Sequence, residues 1–588
     1  MKFKNLISIV LLTILIKNKV YLSEIYLEAS KQMILPQQEV ITKTDIQKTS
    51  SENLAELLNK YGVNISRRSP MQSDISLNSC TFEQLKITLN GIPINDPQTG
   101  HHNLNLPISL EDIEYIEITK SGNFAKHPHS FAGVVNIVTK KTSNNFLKFS
   151  YGSFNTFLTK AHLAREKNLL SLELASSSGF KENTDYNYYN IFYKTNFYNS
   201  DFFVGILDKK FGAQDFYTTP STRKEYEHIR TILAGVNSEF FIKENITNKL
   251  DIYLRSGYDF YTTQRYNPQA YSNYHNSYMY GFLNKLSIQY KNFIFEPLTE
   301  ILFKQLDSKG FSSLFSWRGM GEFFDREYRL GLNFCYNYNN KFLLDASFIE
   351  NYYSRYNFIP QFGAKISFNP FSTMSIFLAA NKVHRVPSYT ELFYWDPTHQ
   401  GDESLKVEQS NNYQIGINKK LKNLISFSIL GFLYEPTNMI DWVRPKGTTQ
   451  SWRVANIAKV KSYGGSFDLK FRYKSFESKI CYTYTTKEID LDPTKELKYI
   501  ENYPKHYLSL ILHLPKIFGF ETSIDNVYKQ LTKTQPKEFI ITNLGIKKSF
   551  KNLNFTFSIE NLFDIKYEEI PGISQPPRTI NFSTKINF

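Results

Sequence analysis

From Phe146 to the end of the chain, apolar and polar residues alternate with a period of two. The side chains of a β-strand point to its two faces in turn, so such a segment is predicted to be a strand with one apolar face. The pattern is clearest in LKFSY at 147–151, LSLEL at 170–174, FDLKFRY at 467–473 and LNFTFSIE at 553–560. The sequence therefore predicts a long series of half-apolar strands.

The polar faces of these strands carry full charges, which distinguishes two all-β folds. In FDLKFRY the polar face presents Asp468, Lys470 and Arg472. The core of a soluble sandwich would not bury these charges, whereas a water-filled barrel lumen accepts them. We therefore predict a transmembrane β-barrel over 142–588. At about ten residues per strand plus turns and loops, it accommodates roughly 22 antiparallel strands, and a barrel that wide must be plugged or leak.

The segment 40–141 has a different pattern and is predicted to be a small α+β domain. TSSENLAELLNKYG reads as a helix in which Thr49 and Glu52 form a capping box and Gly62 supplies a left-handed C-terminal cap. LKITLNGIPI predicts a hairpin around Asn90-Gly91, and IEYIEITK and GVVNIVTKK predict two further strands. A unit of about 100 residues is the right size for an N-terminal plug inside the lumen.

Composition and the N-terminus agree with an exported barrel. Aromatic residues make up 16% of the chain and the mean hydropathy is −0.38, which argues against a helical membrane protein but suits strands that face lipid on one side. Lys2 and Lys4 precede a short apolar run at 6–16, so residues 1–21 are predicted to be a signal peptide.

Charge, cysteine content and the absence of catalytic motifs argue against several other classes of protein. The net charge of +14 is spread along the chain rather than clustered, so nucleic-acid binding is not expected. Cys80, Cys335 and Cys481 have neither disulfide-framework nor metal-ligand spacing, and none is placed as a lipoprotein anchor. There is no P-loop, nucleophile elbow or zinc-protease helix, so no enzymatic activity is expected.

Several long segments, in the same order along the chain, resemble the TonB-dependent outer-membrane receptors, most closely their cobalamin-receptor-like branch. They are residues 75–118 and 131–141 in the plug, and 385–417, 441–447, 451–471 and 561–582 in the barrel. The resemblance implies a location in the outer membrane of a Gram-negative-type bacterium. It also implies a plug in a 22-stranded barrel, and outer loops that bind a scarce nutrient.

The resemblance also implies partners and their contact points. Residues 22–39 would contain the TonB box, with Glu24, Ile25, Tyr26, Leu27, Glu28 and Ala29 at its centre. This segment would add a strand to TonB of the inner-membrane energy-coupling complex. An ordinary linker is the alternative. Phe588, a terminal aromatic on the apolar face of the last strand, is expected to be read by the barrel-assembly machinery before insertion into outer-membrane lipid.

Two positions depart from the family pattern. Leu77-Asn78-Ser79 stands where relatives have Ile-Arg-Gly, and Lys120-Ser121-Gly122 stands where they have Arg-Gly-Pro. A plug arginine in these places normally pairs with barrel-wall carboxylates. Asn78 is uncharged, and Lys120 lacks the bidentate fork of arginine, so the contact between plug and barrel is expected to change.

The plug's apical loops are the expected ligand-binding site. Polar side chains there can bond a large polar ligand, although the loops could also simply pack on the barrel wall. The candidates are Arg67, Arg68, Gln72, Asp96, Gln98, Thr99, His101, His102 and Asn103. The adjacent histidines predict no metal site, because neighbours rarely reach one ion and no partner ligand is fixed by the sequence. Glu182 and Asp185 could hold loop calcium, but a solvated loop is the better interpretation.

The function we expect is active uptake without a resident cofactor. The ligand is expected to be cobalamin or a related corrinoid. A ferric siderophore or haem is the alternative. A barrel adhesin without energised transport is a third possibility, favoured by the missing arginines and opposed by the box and the intact plug.

Overall fold

A computed structural model describes residues 38–78, 80–120, 131–141, 144–217, 222–313, 319–422 and 424–588. The expected signal peptide and the TonB box, Glu24 to Ala29, lie outside these described residues. Within them, no helix combines the length and apolarity that crossing a membrane requires.

The plug combines short strands with two short helices. The strands are β1 (Gln38–Thr42), β2 (Asn64–Ser69), β3 (Gln72–Ser76), β4 (Lys86–Leu89), β5 (Ile92–Pro93), β6 (Ile113–Thr119) and β7 (Val134–Thr139), and the helices are α1 (Lys43–Lys48) and α2 (Leu54–Lys60). A five-stranded sheet has the order β1-β6-β7-β4-β5, and β2 pairs with β3 in a separate hairpin. The hairpin and the helices pack beside the sheet.

Helix α2 is present, but it begins later than the sequence predicts. Its N-cap is Asn53, whose side chain accepts a hydrogen bond from the Glu56 backbone at 3.0 Å, so a capping box of Thr49 and Glu52 is wrong. Glu56 outcompetes the earlier pair because its carboxylate also accepts from the Glu52 backbone N–H at 2.9 Å. The C-terminal cap is confirmed, since Gly62 has φ +81°.

Helix α2 buries an apolar stripe that joins the plug core. Leu57, Leu58 and Tyr61 are buried, and Leu54 packs against the same cluster. The Asn90-Gly91 hairpin is also confirmed, because both residues have positive φ and β4 pairs with β5. Strands β6 and β7 form at the two predicted segments. Strand β1, helix α1 and the β2-β3 hairpin were not predicted from the sequence.

Twenty-two long antiparallel strands close the barrel, and the last pairs with the first. They are β8 (Phe146–Gly152), β9 (Thr156–Arg165), β10 (Asn168–Ser177), β11 (Tyr186–Phe197), β12 (Ser200–Gly212), β13 (Tyr226–Lys243), β14 (Ile246–Thr262), β15 (Ser272–Tyr290), β16 (Phe293–Phe311), β17 (Gly321–Tyr338), β18 (Phe342–Tyr353), β19 (Asn357–Phe371), β20 (Met374–Arg385), β22 (Glu408–Leu421), β23 (Ile425–Pro445), β24 (Trp452–Tyr473), β25 (Phe476–Ile489), β27 (Pro504–Ile517), β28 (Phe520–Leu531), β29 (Glu538–Phe550), β30 (Leu553–Glu560) and β33 (Thr579–Asn587).

Shorter elements lie in the connections between these strands. They are α3 (Tyr389–Phe393), β21 (His399–Gln400), β26 (Lys495–Leu497), β31 (Glu568–Ile570) and β32 (Ile573–Ser574). One rim of the barrel carries tight turns, such as 197–200 and 517–520, and the other carries longer connections, such as 386–407. Longer loops are typical of the extracellular rim of such barrels, so the second rim is the outer one.

The alternating faces lie as the sequence predicts. Phe149 is 44% exposed and Tyr151 is 60% exposed, whereas Ser150 between them is buried. On β10, Leu174 is exposed and Glu173 is buried. The apolar residues form the outer, lipid-facing surface of the barrel, and the polar residues point inward.

The charged residues on the inner face of β24 point inward as predicted, but their surroundings are not the predicted ones. They do not face an open aqueous lumen, because the plug fills it. Asp468 pairs with Lys120 of the plug at 2.7 Å, and Lys470 pairs with Asp45 of the plug at 3.3 Å. Arg472 pairs with Glu477 on the neighbouring strand β25. Charged inward positions are therefore neutralised by the plug or by the adjacent strand.

Candidate ligand-binding vestibule

A cavity of about 370 Å³ lies between the plug's apical loops and the outer connections of the barrel. We call it the vestibule cavity. The plug contributes Thr81, Phe82, Glu83, Gln98, Thr99, His101 and His102. The barrel and its loops contribute, among others, Tyr217, Arg223, Asp259, Tyr261, Tyr271, His275, Tyr394, Asp396, His399, Trp442, Lys498 and Tyr499. Aromatic rings and imidazoles thus make up much of its lining.

The aromatic rings of the vestibule cavity form an ordered contact between plug and loops. The Phe82 ring stacks on the His101 imidazole with centroids 4.2 Å apart, and Tyr499 meets Phe82 edge-on at 5.0 Å. On another side, the hydroxyls of Tyr271 and Tyr394 lie 2.8 Å apart. Rings fixed in this way give a rigid apolar surface with polar tips, which suits a flat unsaturated ligand.

The two ring nitrogens of His101 have different partners: one contacts a carboxylate of the plug and the other contacts a tyrosine of the cavity lining. Its Nδ1 lies 2.7 Å from the Asp74 carboxylate, which also accepts from Arg68 at 3.2 Å. Its Nε2 lies 3.3 Å from the Tyr499 hydroxyl. Burial lowers the pKa of His101 to about 4, against the opposing attraction of Asp74, so the imidazole is neutral and Nδ1–H donates to Asp74.

His399 has a similar arrangement on the connection between β20 and β22. Its Nδ1 lies 2.8 Å from the Thr398 hydroxyl and 3.7 Å from Asp396, and its Nε2 lies 2.7 Å from Lys498 Nζ. Burial, with the nearby charge of Lys498, lowers the pKa of His399 to about 4. Burial also lowers the pKa of Lys498 to about 7. The lysine donates to a neutral imidazole at the cavity wall.

The predicted site residues separate into two groups. Gln98, Thr99, His101 and His102 line the vestibule cavity, and Arg68 lines the cavity beside it. The other four contact the plug and the barrel wall and so hold the loops in place. They are Arg67, Gln72, Asp96 and Asn103.

These four residues bond the plug to itself and to the barrel wall. Asp96 forms a buried ion pair with Arg255 of β14. Asn103 accepts from the Asp96 backbone at 3.0 Å, and Gln72 donates to the His101 carbonyl. The Arg67 backbone N–H donates to Glu569 at 2.8 Å.

The neighbouring cavity has a volume of about 580 Å³ and is richer in cations. It shares Phe82, Tyr217, His399, Lys498 and Tyr499 with the vestibule cavity, so the two adjoin. Its further cationic lining residues are Arg68, Arg444, Lys487 and Lys533. Together the two cavities offer room for a ligand much larger than an amino acid or a sugar.

The barrel residues of the site were missed by the sequence analysis. His399, Trp442, Lys498 and Tyr499 come from three separate parts of the barrel sequence, and the fold brings them to one cavity. For His399, Lys498 and Tyr499 the available signal was their position in longer connections between alternating segments, since binding residues concentrate in loops on a rigid scaffold. Trp442 lies in strand β23 and gave no such signal. Spacing along the chain could not indicate which loops meet.

The two departures from the family pattern meet below the site. Lys120 lies 2.7 and 2.9 Å from the two carboxylate oxygens of Asp468, so a wall carboxylate is still paired at this position. Asn78 donates to the Lys120 carbonyl and lies 3.3 Å from the Tyr434 hydroxyl. The neutral amide thus supports the backbone of the lysine that forms the ion pair.

The two outer-loop acids are both engaged in ion pairs. Asp185 forms a two-pronged contact with Arg265, at 2.6 and 2.8 Å, and Glu182 pairs with Lys224. Carboxylates neutralised by their own cations are poorly disposed to bind calcium.

A plugged barrel of 22 strands with a ligand-sized vestibule under its outer loops defines a transport receptor of the outer membrane. Two family models match the chain: "TonB-dependent Receptor Plug Domain" at residues 31–134 and "TonB dependent receptor-like, beta-barrel" at residues 139–562. The chain belongs to the TonB-dependent receptors. These receptors take up nutrients across the outer membrane together with TonB and are not enzymes.

Solved structures of low sequence identity share the whole fold. The siderophore receptor PirA from Acinetobacter baumannii is 14% identical, with 95% of this chain and 99% of that chain covered and a TM-score of 0.73. The Serratia marcescens hemophore receptor HasR, solved with its hemophore HasA and heme, is 13% identical (94% and 99%, TM-score 0.74). The copper transporter OprC is 12% identical (94% and 99%, TM-score 0.77). No curated protein matches the sequence.

The comparisons confirm the family and leave the branch open. The structures just named are receptors for a siderophore, for a heme-carrying protein and for copper, so the cobalamin-receptor-like branch is not confirmed.

Proposed function

We propose that this receptor takes up a metal ion held in a planar macrocycle, either an iron porphyrin (haem) or a corrinoid such as cobalamin. The observation that carries the proposal is the pair His101 and His399. One imidazole comes from the plug and the other from an outer connection. Both line the vestibule cavity, and their Nε2 atoms contact two further lining residues, Tyr499 and Lys498.

The second ring nitrogen of each histidine supports a role as metal ligand. A histidine that ligates a metal ion commonly donates its other N–H to a carboxylate or hydroxyl, which fixes the tautomer and raises the basicity of the ligating nitrogen. His101 has Asp74 for this purpose, and His399 has Thr398 and Asp396. Nε2 of each ring is then free of a proton and able to take an axial position on iron or cobalt.

The rest of the lining supports a flat, partly charged ligand. Phe82, Tyr499 and Trp442 offer ring faces and edges to a macrocycle. Lys498, now 2.7 Å from His399 Nε2, would be displaced by the metal and could then pair with a carboxylate or phosphate of the ligand. The adjoining cavity would accept the parts of the ligand that extend beyond the ring.

Spectral titration of the purified full chain tests the proposal. Haem and cobalamin are added separately, and axial binding of imidazole is read from the shift of their visible absorption. We expect one of the two to bind stoichiometrically, with affinity reduced at least about tenfold by His101→Ala or His399→Ala. His506→Ala is the matched control, because that histidine contacts Tyr482 on the barrel wall away from the cavity. Binding that is unchanged in both cavity variants would refute the assignment.

A ferric siderophore is the second candidate, and a separate observation favours it. Arg68, Arg444, Lys487 and Lys533 line the larger cavity and suit an anionic chelate. PirA, which shares this fold, is described as a siderophore receptor. If a ferric catecholate binds and Arg444→Gln weakens it while His399→Ala does not, the siderophore assignment replaces the macrocycle.

A further inference from the structure

A cluster of one imidazole and two carboxylates lies where the plug's apical loop meets strands β13 and β14. It consists of His102 from the plug, Glu227 from β13 and Asp259 from β14. One candidate ligand atom from each lies within 4.8 Å of the others. The three residues are 3%, 1% and 7% exposed, so the cluster is buried.

Two carboxylate oxygens of the cluster have no hydrogen-bond partner. Gln98 donates to Asp259 Oδ2 at 2.8 Å, and His102 Nε2 lies 3.3 Å from the same oxygen. Asp259 Oδ1 and Glu227 Oε2 are buried and receive no hydrogen bond. Buried carboxylate oxygens are rarely left unpaired, because their desolvation then goes uncompensated.

The neighbouring cations do not satisfy these oxygens. Lys209 donates to Asn105 at 2.6 Å, to Gln72 at 3.4 Å and to the Met71 carbonyl. Arg68 donates to Asp74 and to a backbone carbonyl. Lys209 and the two terminal nitrogens of Arg68 are committed to other acceptors, although Arg68 Nε has no hydrogen-bond partner among the described residues. The two unpartnered carboxylate oxygens remain available to a ligand that carries positive charge.

We propose that His102, Glu227 and Asp259 form a binding site for a divalent transition-metal ion of the zinc type, joining the plug's apical loop to the barrel wall. Imidazole nitrogen and carboxylate oxygen are ligands that zinc accepts at about 2.0–2.2 Å. Tetrahedral ligands at that distance are about 3.4 Å apart, so the three groups reach an ion by small side-chain rotations. Water fills the fourth position from the vestibule cavity, which His102 and Asp259 line.

Metal binding changes the hydrogen bonds of His102. Asn105 Nδ2 now lies 3.1 Å from His102 Nδ1, so the neutral ring carries its proton on Nε2. A metal ion at Nε2 moves that proton to Nδ1, and the Asn105 amide turns so that its oxygen accepts it. Lys209 then keeps Gln72 and the Met71 carbonyl as acceptors. The metal ion thereby also sets the arrangement of the loop beneath it.

Adjacent histidines in this loop therefore serve different ligands. His101 turns to Asp74 and His102 to Asp259, so a shared ion is not required. The site is independent of the macrocycle proposal, because neither His101 nor His399 belongs to it. Zinc can be added without any macrocycle, so failure of one proposal leaves the other intact.

Zinc titration of the chelator-stripped full chain in detergent tests the site. We expect one zinc ion per chain by calorimetry, and the same site should give a visible absorption band when loaded with cobalt(II). Glu227→Gln and His102→Gln should each weaken binding at least about tenfold, since each removes a ligand. Asp251→Asn, a lumen-facing carboxylate on the same strand as Asp259 that accepts from Asn237, is the matched control.

Folding is checked for each variant by the mobility of unheated barrel on gels, and two ligand variants are used so that one misfolded variant does not decide the result. The proposal is overturned if the parent binds no stoichiometric zinc, or if both ligand variants bind it as the parent does. Absence of zinc binding together with a higher melting temperature of Glu227→Gln would instead identify a proton shared by Glu227 and Asp259.

Discussion

At the scale of single residues, the pair Lys120–Asp468 joins the plug to the barrel wall through a buried contact. The side chains are 5% and 14% exposed. Removing one partner leaves the other charge buried and unpaired, which typically costs about 3–5 kcal/mol, whereas replacing both by apolar residues costs far less. We therefore expect Lys120→Met to loosen the plug. The double variant Lys120→Met/Asp468→Leu should recover most of the plug stability that the single variant loses.

Hydrogen exchange of plug peptides measures this effect. Amides of β6, which ends beside Lys120, should exchange faster in the single variant and return toward the parent rate in the double variant. Lys43→Met is the control, because the side chains of its pair with Glu114 are 42% and 40% exposed and therefore better hydrated. Equal acceleration in the single and double variants would show that Lys120 acts by packing and not by charge.

The buried imidazole of His101 gives a second residue-scale prediction, for pH. Burial lowers its pKa from 6.5 to about 4. Because the unfolded chain takes up the proton first, His101 contributes less stability as the pH falls from 6.5 to 4. Nε2 meanwhile keeps its lone pair, so titration of His101 itself should leave macrocycle binding constant from pH 7.5 to 5.5 and weaken it only near pH 4. Because Lys498, with a pKa of about 7, titrates inside this window, the measurement is made on Lys498→Met. A midpoint near 6.5 in the spectral titration would contradict this.

At the scale of elements, the last strand closes the barrel and carries the proposed assembly signal. Strand β33 pairs with β30 and β8, and the Phe588 ring is 63% exposed on the lipid side. An acid in that place disfavours the lipid surface, by at most about 1 kcal/mol near the interface, and it also removes the terminal aromatic ring. We expect Phe588→Asp to reduce folded barrel in the outer membrane while synthesis is unchanged.

Heat-dependent gel mobility of outer-membrane fractions checks the assembly prediction. Phe588→Tyr is the control, because it keeps an aromatic ring at the terminus. The same amount of folded barrel in Phe588→Asp and in the control would remove Phe588 from the assembly signal.

Elements with strong local patterns could be predicted from the sequence, and elements fixed by distant partners could not. The barrel strands alternate, so the alternation alone assigns Phe149 and Glu173 to opposite faces of the wall. Strand β1 has only five residues and is defined by pairing with β6, more than seventy positions away. The N-cap of α2 at Asn53 could not be predicted, because residue type alone does not decide whether Glu52 or Glu56 completes the cap.

The candidate site was predictable only on its plug side, for the same reason. His101 stands in a loop rich in turn residues, which marked it for function. His399 and Tyr499 join it because barrel closure brings separate connections over the plug, and nothing in their local sequence indicates that meeting. The plug–wall contacts of Asp96 and Gln72 were likewise hidden, because their partners lie on other elements.

At the scale of the whole molecule, coupling to TonB separates a transporter from an adhesin. If the segment Glu24 to Ala29 pairs with TonB as an added strand, a proline there removes an amide hydrogen from the ladder. Ile25→Pro and Leu27→Pro should therefore abolish uptake, while surface binding of the ligand survives because the vestibule is unchanged.

Two assays on whole cells make that distinction: ligand bound at the surface and ligand accumulated inside. A proline variant that transports normally would place the box elsewhere or make transport independent of TonB. If the parent binds ligand but accumulates none, the adhesin interpretation gains support. Gln38→Pro is not a suitable control because it lies in the paired strand β1, whereas Ile25→Val keeps both the amide and the β-branched side chain.

The ion pairs between plug and barrel wall also determine how well the resting protein keeps the outer membrane closed to solutes. A spontaneous opening along β24 and β25 has to separate Lys120 from Asp468 and Glu39 from Lys479. Separating one partner from the other inside the closed barrel leaves a buried charge uncompensated, which disfavours partial opening of this contact. Toxic solutes and antibiotics outside therefore meet a closed wall in the resting molecule.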